Sequence, residues 1–233
     1  MQYATQLYSL RALPAADRCR VVAEAGFTGV ELVGVDPPDG VAALDLDVAA
    51  AHVDVETVAA DPGGVVERVR TAGTDTVVVP IVAEESFRPG EVDETATRLD
   101  ALAARVEDAG GRLLYHNHEF EFASGTFERV VDATARLGFE LDVGWATAAG
   151  ADPVSLVERF GERMPLVHLK DVRVDSAAPR GAVPVDLGVG DVDLGGVLAA
   201  AAEAGVEWVV FEHDDPAAPA RTVRAAADWL SIR

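Results

Sequence analysis

The sequence predicts an α/β chain folded as one (β/α)8 TIM barrel, with residues 1–233 forming a single domain. Three observations carry this. Strand-like apolar runs alternate eight times with helix-like amphipathic stretches, and each step is closed by Gly, Pro or Asp. Eight such pairs in 233 residues, 49% of them hydrophobic, match the size of a closed barrel and can bury its core. The runs are also Val-rich throughout, as expected of parallel strands covered on both faces.

In chain order the strands are expected at 3–8 (YATQLY), 28–33 (TGVELV), 47–53 (DVAAAHV), 76–82 (TVVVPIV), 112–117 (RLLYHN), 139–143 (FELDV), 165–169 (PLVHL) and 207–212 (EWVVFE). Between them ADRCRVVAEAG, DETATRLDALAARVEDAGG and TFERVVDATARLG carry apolar residues at three- and four-residue spacing and end in glycine, the pattern of amphipathic helices with C-terminal caps. Asp152 before Pro153 and Asp193 before LGGVLAAAAEAG read as helix N-caps. Between strands two and three, DPPDGVAALD leaves room for a turn rather than a full helix. The stretch Val172–Gly190 is rich in Pro, Gly and Asp, and reads either as a disordered crossover or as a lid over the substrate. A doubly wound open sheet fits less well, because no G-x-G-x-x-G loop follows the first strand.

Composition narrows the function. One cysteine, Cys19, in a helical stretch, excludes a disulfide framework and reads as a buried small hydrophobe. The N-terminus lacks a basic segment followed by an apolar one, and no run approaches the roughly 20 apolar residues of a membrane span, so we expect a cytoplasmic protein that does not bind membranes. A formal charge of −21 argues against nucleic-acid partners. Eighteen of the nineteen basic residues are arginine, a balance resembling that of proteins from salt-loving organisms. The one lysine, Lys170, therefore stands out within HLKD, against the bland reading of a chance surface lysine. A homo-oligomer is compatible with the chain.

Polar groups of metal-binding type follow the apolar runs directly: His52, His116 and His118, Asp142, His168 and Glu212. In a barrel, residues at the C-terminal strand ends meet in one cavity. Strand alternation gives Leu114, His116 and His118 a common face, pairs Glu140 with Asp142 and His168 with Lys170, and turns His213 away from Glu212. Imidazole and carboxylate groups from four adjacent strands suit manganese, cobalt, iron or zinc better than magnesium. No compact motif such as H-E-x-x-H accompanies them.

The segments ATQLYSLR, GFTGVELVG, YHNHEFEF, ELDVGWA, HLKDV and GVGDVDLGGVLAAAAEAGVEWVVFEHD, in this order, resemble the xylose-isomerase-like barrel superfamily. This superfamily holds sugar phosphate isomerases/epimerases, inosose dehydratases and keto-sugar lyases. The resemblance implies a divalent metal (Mn2+, Co2+ or Zn2+, with Mg2+ less suited) held by Glu, Asp, His and Glu from strands five to eight. The last three fall on Asp142, His168 and Glu212. The first departs from the pattern, because the family's E-N-H reads His116-Asn117-His118; His116 becomes the fourth ligand and His118 competes with it. It also removes one of the two glutamates that epimerases use as an acid/base pair, which favours elimination over simple epimerisation.

The implied chemistry is isomerisation or epimerisation of a sugar or keto-sugar through an enediolate, with dehydration or elimination on an inosose or 3-keto-glycoside as the alternative. Glu212, His118 and Lys170, in that order, are the proton-transfer candidates. Gln6, Glu31, His52 and Trp145 are candidates for substrate binding, as is Arg11. For His52 a plain hydrogen bond to a loop carbonyl competes, and Glu119 and Glu121 read as solvated or supporting carboxylates. A DNA-repair endonuclease would need more histidines and a basic groove, and a non-catalytic sugar-binding barrel would keep the architecture without turnover.

Overall fold

The computed structural model describes residues 1–37 and 40–232. Eight parallel strands close into a barrel in the order β1-β10-β7-β6-β5-β4-β3-β2. They are β1 (Gln2–Gln6), β2 (Gly29–Val33), β3 (Asp47–His52), β4 (Thr76–Val79), β5 (Arg112–His116), β6 (Gly138–Asp142), β7 (Leu166–Leu169) and β10 (Trp208–Phe211). Helices α1 (Ala15–Ala25), α2 (Val55–Ala60), α3 (Pro62–Ala72), α4 (Val92–Asp108), α5 (Thr126–Ala133), α6 (Val143–Ala148), α7 (Pro153–Phe160), α8 (Leu194–Ala204) and α9 (Pro219–Leu230) connect them, so the chain is a (β/α)8 TIM barrel. Among the described residues no helix is long and apolar enough to cross a membrane.

The apolar residues divide into two layers. Ala4, Ala49, Ala50, Val78, Leu114, Leu166, Trp208 and Val210 fill the barrel interior, while the larger cluster lies between strands and helices. Small alanines leave room for the Trp208 indole. A Cβ on Gly29 would come within 2.7 Å of its ring, so glycine is what lets β2 pass this side chain. On the outer layer α4 turns Val92, Ala96, Leu99, Leu102, Ala103 and Val106 inward at helical spacing, and Cys19 is buried on α1 as a small hydrophobe. The expected caps form: Asp152 accepts from the Val154 N–H at 3.1 Å and Asp193 from the Gly196 N–H at 2.9 Å.

Three local expectations need correction, and a fourth holds. The first strand stops at Gln6, whose side-chain oxygen accepts the Tyr8 N–H and starts a 3-10 turn over Leu7–Leu10. The fourth strand ends at Val79, before Pro80, rather than continuing to 82. Within DPPDGVAALD the expected turn forms, as a 3-10 turn over Ala42–Leu44; Pro38 and Asp39 lie outside the described residues. The stretch Val172–Gly190 is not a disordered crossover but carries most of an antiparallel hairpin, β8 (Asp171–Val174) with β9 (Ala182–Val185). Its return is clasped by the buried Asp171 carboxylate, which accepts the N–H groups of Gly188, Val189, Gly190 and Val192 at 2.9–3.3 Å.

Candidate metal centre

The strand ends meet as the barrel requires. In register, His116 lies opposite Glu140, Asp142 opposite His168, His168 opposite Val210, and Gln6 opposite Glu31. Two sets of side chains therefore converge, each with ligand atoms within 4.8 Å of one another: His116, Asp142, His168 and Glu212, and deeper in the barrel His52, His116, Glu140 and His168. The two histidines common to both sets bridge them, because each turns one ring nitrogen toward each set.

Backbone contacts fix the outer set. Asp142 is the N-cap of α6, its Oδ1 accepting the Trp145 N–H at 2.8 Å, which leaves Oδ2 directed into the site. Asn117 clasps the same residue by its backbone, accepting the Asp142 N–H at 2.9 Å and donating to its carbonyl at 3.2 Å. Asp142 Oδ2 lies 4.0 Å from both His116 Nε2 and His168 Nδ1, and His168 Nδ1 lies 3.2 Å from Glu212 Oε2. Ligand atoms about 2.1 Å from one ion stand about 3–4 Å apart, so this spacing suits chelation.

Lys170 is not a surface lysine. It is buried, with Nζ 2.9 Å from Asp142 Oδ2, 2.8 Å from Glu212 Oε2 and 2.9 Å from Asp214 Oδ2. Burial alone would lower its pKa, but the carboxylates of Asp142, Glu212 and Asp214 outweigh this and raise it, so the ammonium stays charged. The same charge answers on Glu212: burial pushes its carboxyl up, yet Lys170 and His168 hold it well below the usual range.

The deeper set is a carboxylate–imidazole layer. His52 Nε2 lies 2.9 Å from Glu140 Oε2 and 3.3 Å from Glu31 Oε2, so this histidine joins two carboxylates rather than a loop carbonyl. His168 Nε2 reaches Glu31 Oε2 at 2.6 Å and Glu140 Oε2 at 3.1 Å, and His116 Nδ1 reaches Glu140 Oε2 at 3.0 Å. Gln6 Nε2 donates to Glu31 Oε2 at 2.6 Å. Burial depresses the His52 imidazolium, but Glu31 and Glu140 overcome it and raise its pKa to about 10; His168 is raised well above its ordinary value for the same reason. Glu140 is pushed up by burial and drawn further down by His168 and His52.

Five carboxylates (Glu31, Glu140, Asp142, Glu212, Asp214) thus crowd around one lysine and three histidines. Glu31 Oε1 and Glu140 Oε1 are buried with no hydrogen-bond donor, and no donor is aligned on Asp142 Oδ2. A surplus of buried negative charge, together with two imidazole nitrogens and two carboxylate oxygens at chelating distance, fits a bound dication.

The remaining candidates line the mouth or lie elsewhere. His118 follows the end of β5, its ring 5.2 Å from that of His116 and stacked at 5.8 Å on Phe120. Burial, then the charges of His116 and Arg180, lower its pKa to about 2, so it is neutral. Trp145 is buried under the Arg180 guanidinium, 3.4 Å from its ring centroid. Gln6 and Glu31 are fully buried beneath the histidines. Arg11 pairs with the exposed Asp215 and stacks on Tyr8, apart from the cluster. Glu121 is not solvated: it is buried, accepting from the Tyr115 hydroxyl at 2.6 Å and the His118 N–H at 2.8 Å, and burial raises its pKa to about 7. Glu119 pairs with Arg180 at 2.8 Å.

Sequence reasoning missed three groups. Glu140 shares a face with Asp142, and that alternation was the signal for it. Asp214 lies two residues beyond Glu212, past the strand end, and Arg180 reaches the mouth from the tip of a hairpin with no local signature.

Residues 64–232 match the family described as xylose isomerase-like TIM barrel. The chain is 31% identical over 137 residues to the rhizopine catabolism protein MocC of Rhizobium meliloti, covering 58% of this chain and 42% of that protein. It is 27% identical over 150 residues to an inosose dehydratase of Lacticaseibacillus casei, covering 56% of this chain and 50% of that enzyme. These matches span half or less of the relatives' lengths. The solved IOLI protein with a bound zinc atom superposes with a TM-score of 0.76 over 100% of this chain and 98% of its own, at 15% identity. Fold, strand-end chemistry and sequence match together make this chain a member of the xylose isomerase-like TIM barrel family.

Proposed function

We propose that the protein is a divalent-metal-dependent enzyme that enolises a sugar or keto-sugar and carries the enediolate on to an isomer. The observation that carries this reading is the outer quartet, in which Asp142, His168, His116 and Glu212 present four donor atoms at chelating distance to one point at the barrel mouth. A dication held there would polarise the substrate carbonyl and make the neighbouring C–H acidic. Manganese, cobalt and zinc fit the mixed nitrogen and oxygen donors, and a zinc atom in the IOLI protein supports the choice of a divalent ion.

Glu212 is the proton acceptor in this proposal. Its side chain is 9% exposed, against none for Asp142, Glu31 and Glu140, and Lys170 and His168 keep it ionised. Lys170 stays charged and neutralises the oxyanion as it develops. Neutral His118 and the Trp145 indole wall the pocket, and His118 offers a hydrogen bond to a substrate hydroxyl. A chain of net charge −21 favours an uncharged sugar over a nucleic acid.

One carboxylate base on one face suits removal and return of a proton between neighbouring carbons, whereas epimerisation needs groups on opposite faces. The second reading is elimination. It is favoured by His116 standing where the family resemblance expects a second glutamate, and by sequence relatives that are inosose dehydratases.

The test is incubation of the manganese-loaded protein in deuterated water with aldoses, ketoses, inososes and 3-keto-glycosides. Deuterium should enter a carbon next to the carbonyl of at least one of them, and Asp142→Asn and Glu212→Gln should each slow this by about 10²–10⁴-fold with an unchanged circular dichroism spectrum. Incorporation into none, or full exchange in both variants, would refute the proposal.

A further inference from the structure

We propose that Glu31 and Glu140 are positioning residues, which hold His168 and His116 by their deeper nitrogens so that His168 Nδ1 and His116 Nε2 face the cation. This rests on the metal reading above and assigns work to a buried layer that the chemistry itself does not touch.

The geometry divides each ring between two tasks. His168 Nε2 is 2.6 Å from Glu31 Oε2, while its Nδ1 faces Glu212 and Asp142 at 3.2 and 4.0 Å. His116 Nδ1 is 3.0 Å from Glu140 Oε2, while its Nε2 faces Asp142 at 4.0 Å. A carboxylate can only accept, so each deeper nitrogen carries a hydrogen; the outer nitrogen of His168, 3.2 Å from Glu212, gives up its hydrogen only when a cation takes that place. The opposite nitrogen of the neutral ring is then the lone pair that a cation needs.

The layer is itself held on every side. His52 bridges Glu140 and Glu31, its ring stacked 5.5 Å from that of His168 with 9° between planes. The Gln6 amide is oriented by the Tyr8 N–H on its oxygen, which turns its NH2 group onto Glu31 Oε2. None of Gln6, Glu31, Glu140 or His168 has any exposed surface, so water cannot replace a lost partner. The deeper contacts run from 2.6 to 3.3 Å, whereas the outer set has one contact of 3.2 Å and two of 4.0 Å, the wider spacing that ligands around one ion take.

The experiment is calorimetric titration of chelator-treated protein with cobalt(II), alongside two-bond 1H–15N spectra of the histidines in zinc-loaded protein. The expected results are one ion per chain, a Kd weakened about 10–100-fold by Glu31→Gln and by Glu140→Gln, and spectra in which His168 carries its hydrogen on Nε2 and His116 on Nδ1. The spectra need no variant, so they decide the matter even where a substitution prevents folding. A Kd unchanged within twofold in both variants, the opposite tautomers, or two ions bound per chain would overturn this assignment and leave the outer site standing. Failure of the wild-type protein to bind cobalt or zinc would instead overturn the metal reading, and this one with it.

Discussion

Asp142 concentrates the logic of the site in one side chain. One oxygen caps a helix and the other faces the ligands, so the backbone hydrogen bond that starts α6 also sets the carboxylate's direction. His52 does the complementary work below, as a cation between Glu31 and Glu140. Its folded-state pKa of about 10 lies above its ordinary 6.5, so its stabilising contribution is complete below pH 6.5 and is lost as the pH rises through about 10. Metal-free protein should therefore become easier to unfold between these pH values, and His52→Gln should flatten that dependence. Urea midpoints across the range measure it; equal slopes in the two proteins would show that His52 carries no such charge.

Among the elements, the β8–β9 hairpin is the one that a plain barrel does not require. It carries Arg180 over Trp145 and onto Glu119, tying the loop after β7 to the loop after β5 across the mouth. Its return depends on close backbone approach to Asp171: a Cβ at Gly190 would come within 2.2 Å of the carboxylate and 2.4 Å of the Val172 carbonyl. Gly190→Ala should cost about 1–3 kcal/mol, read as a melting temperature lower by about 2–4 °C per kcal/mol and as faster protease cleavage in the hairpin. An unchanged melt and cleavage pattern would mean that the clasp does not hold the hairpin. All eight barrel strands were legible in the sequence because each is a short apolar run within a strand-and-helix step punctuated by Gly, Pro or Asp. The hairpin was not, because its strands are only four residues long, one half polar and the other interrupted by Pro184, and its anchor, Asp171, works through backbone groups seventeen to twenty-one residues away. The histidines, Asp142 and Glu212 were legible for the reason the strands were: they end the runs. Glu140 sits one step inside its run, and His118 lies past a strand end, where alternation no longer fixes direction.

At the scale of the whole molecule, two charge distributions coexist. The site gathers carboxylates around buried cations that salt cannot reach, while the surface carries most of a net charge of −21, which repels itself in dilute buffer. Sodium chloride raised from about 0.05 to 1 M, a change that shortens the screening length severalfold, should raise the melting temperature; a flat or falling response would contradict surface repulsion as a significant cost. The closed barrel is what brings residues 116, 142, 168 and 212 to one point. The most direct test of that convergence is anomalous diffraction from crystals grown with cobalt(II). One peak is expected, about 2.0–2.2 Å from His116 Nε2, Asp142 Oδ2, His168 Nδ1 and Glu212. A peak among His52, Glu140 and Glu31 instead, or no peak at the strand ends, would contradict it.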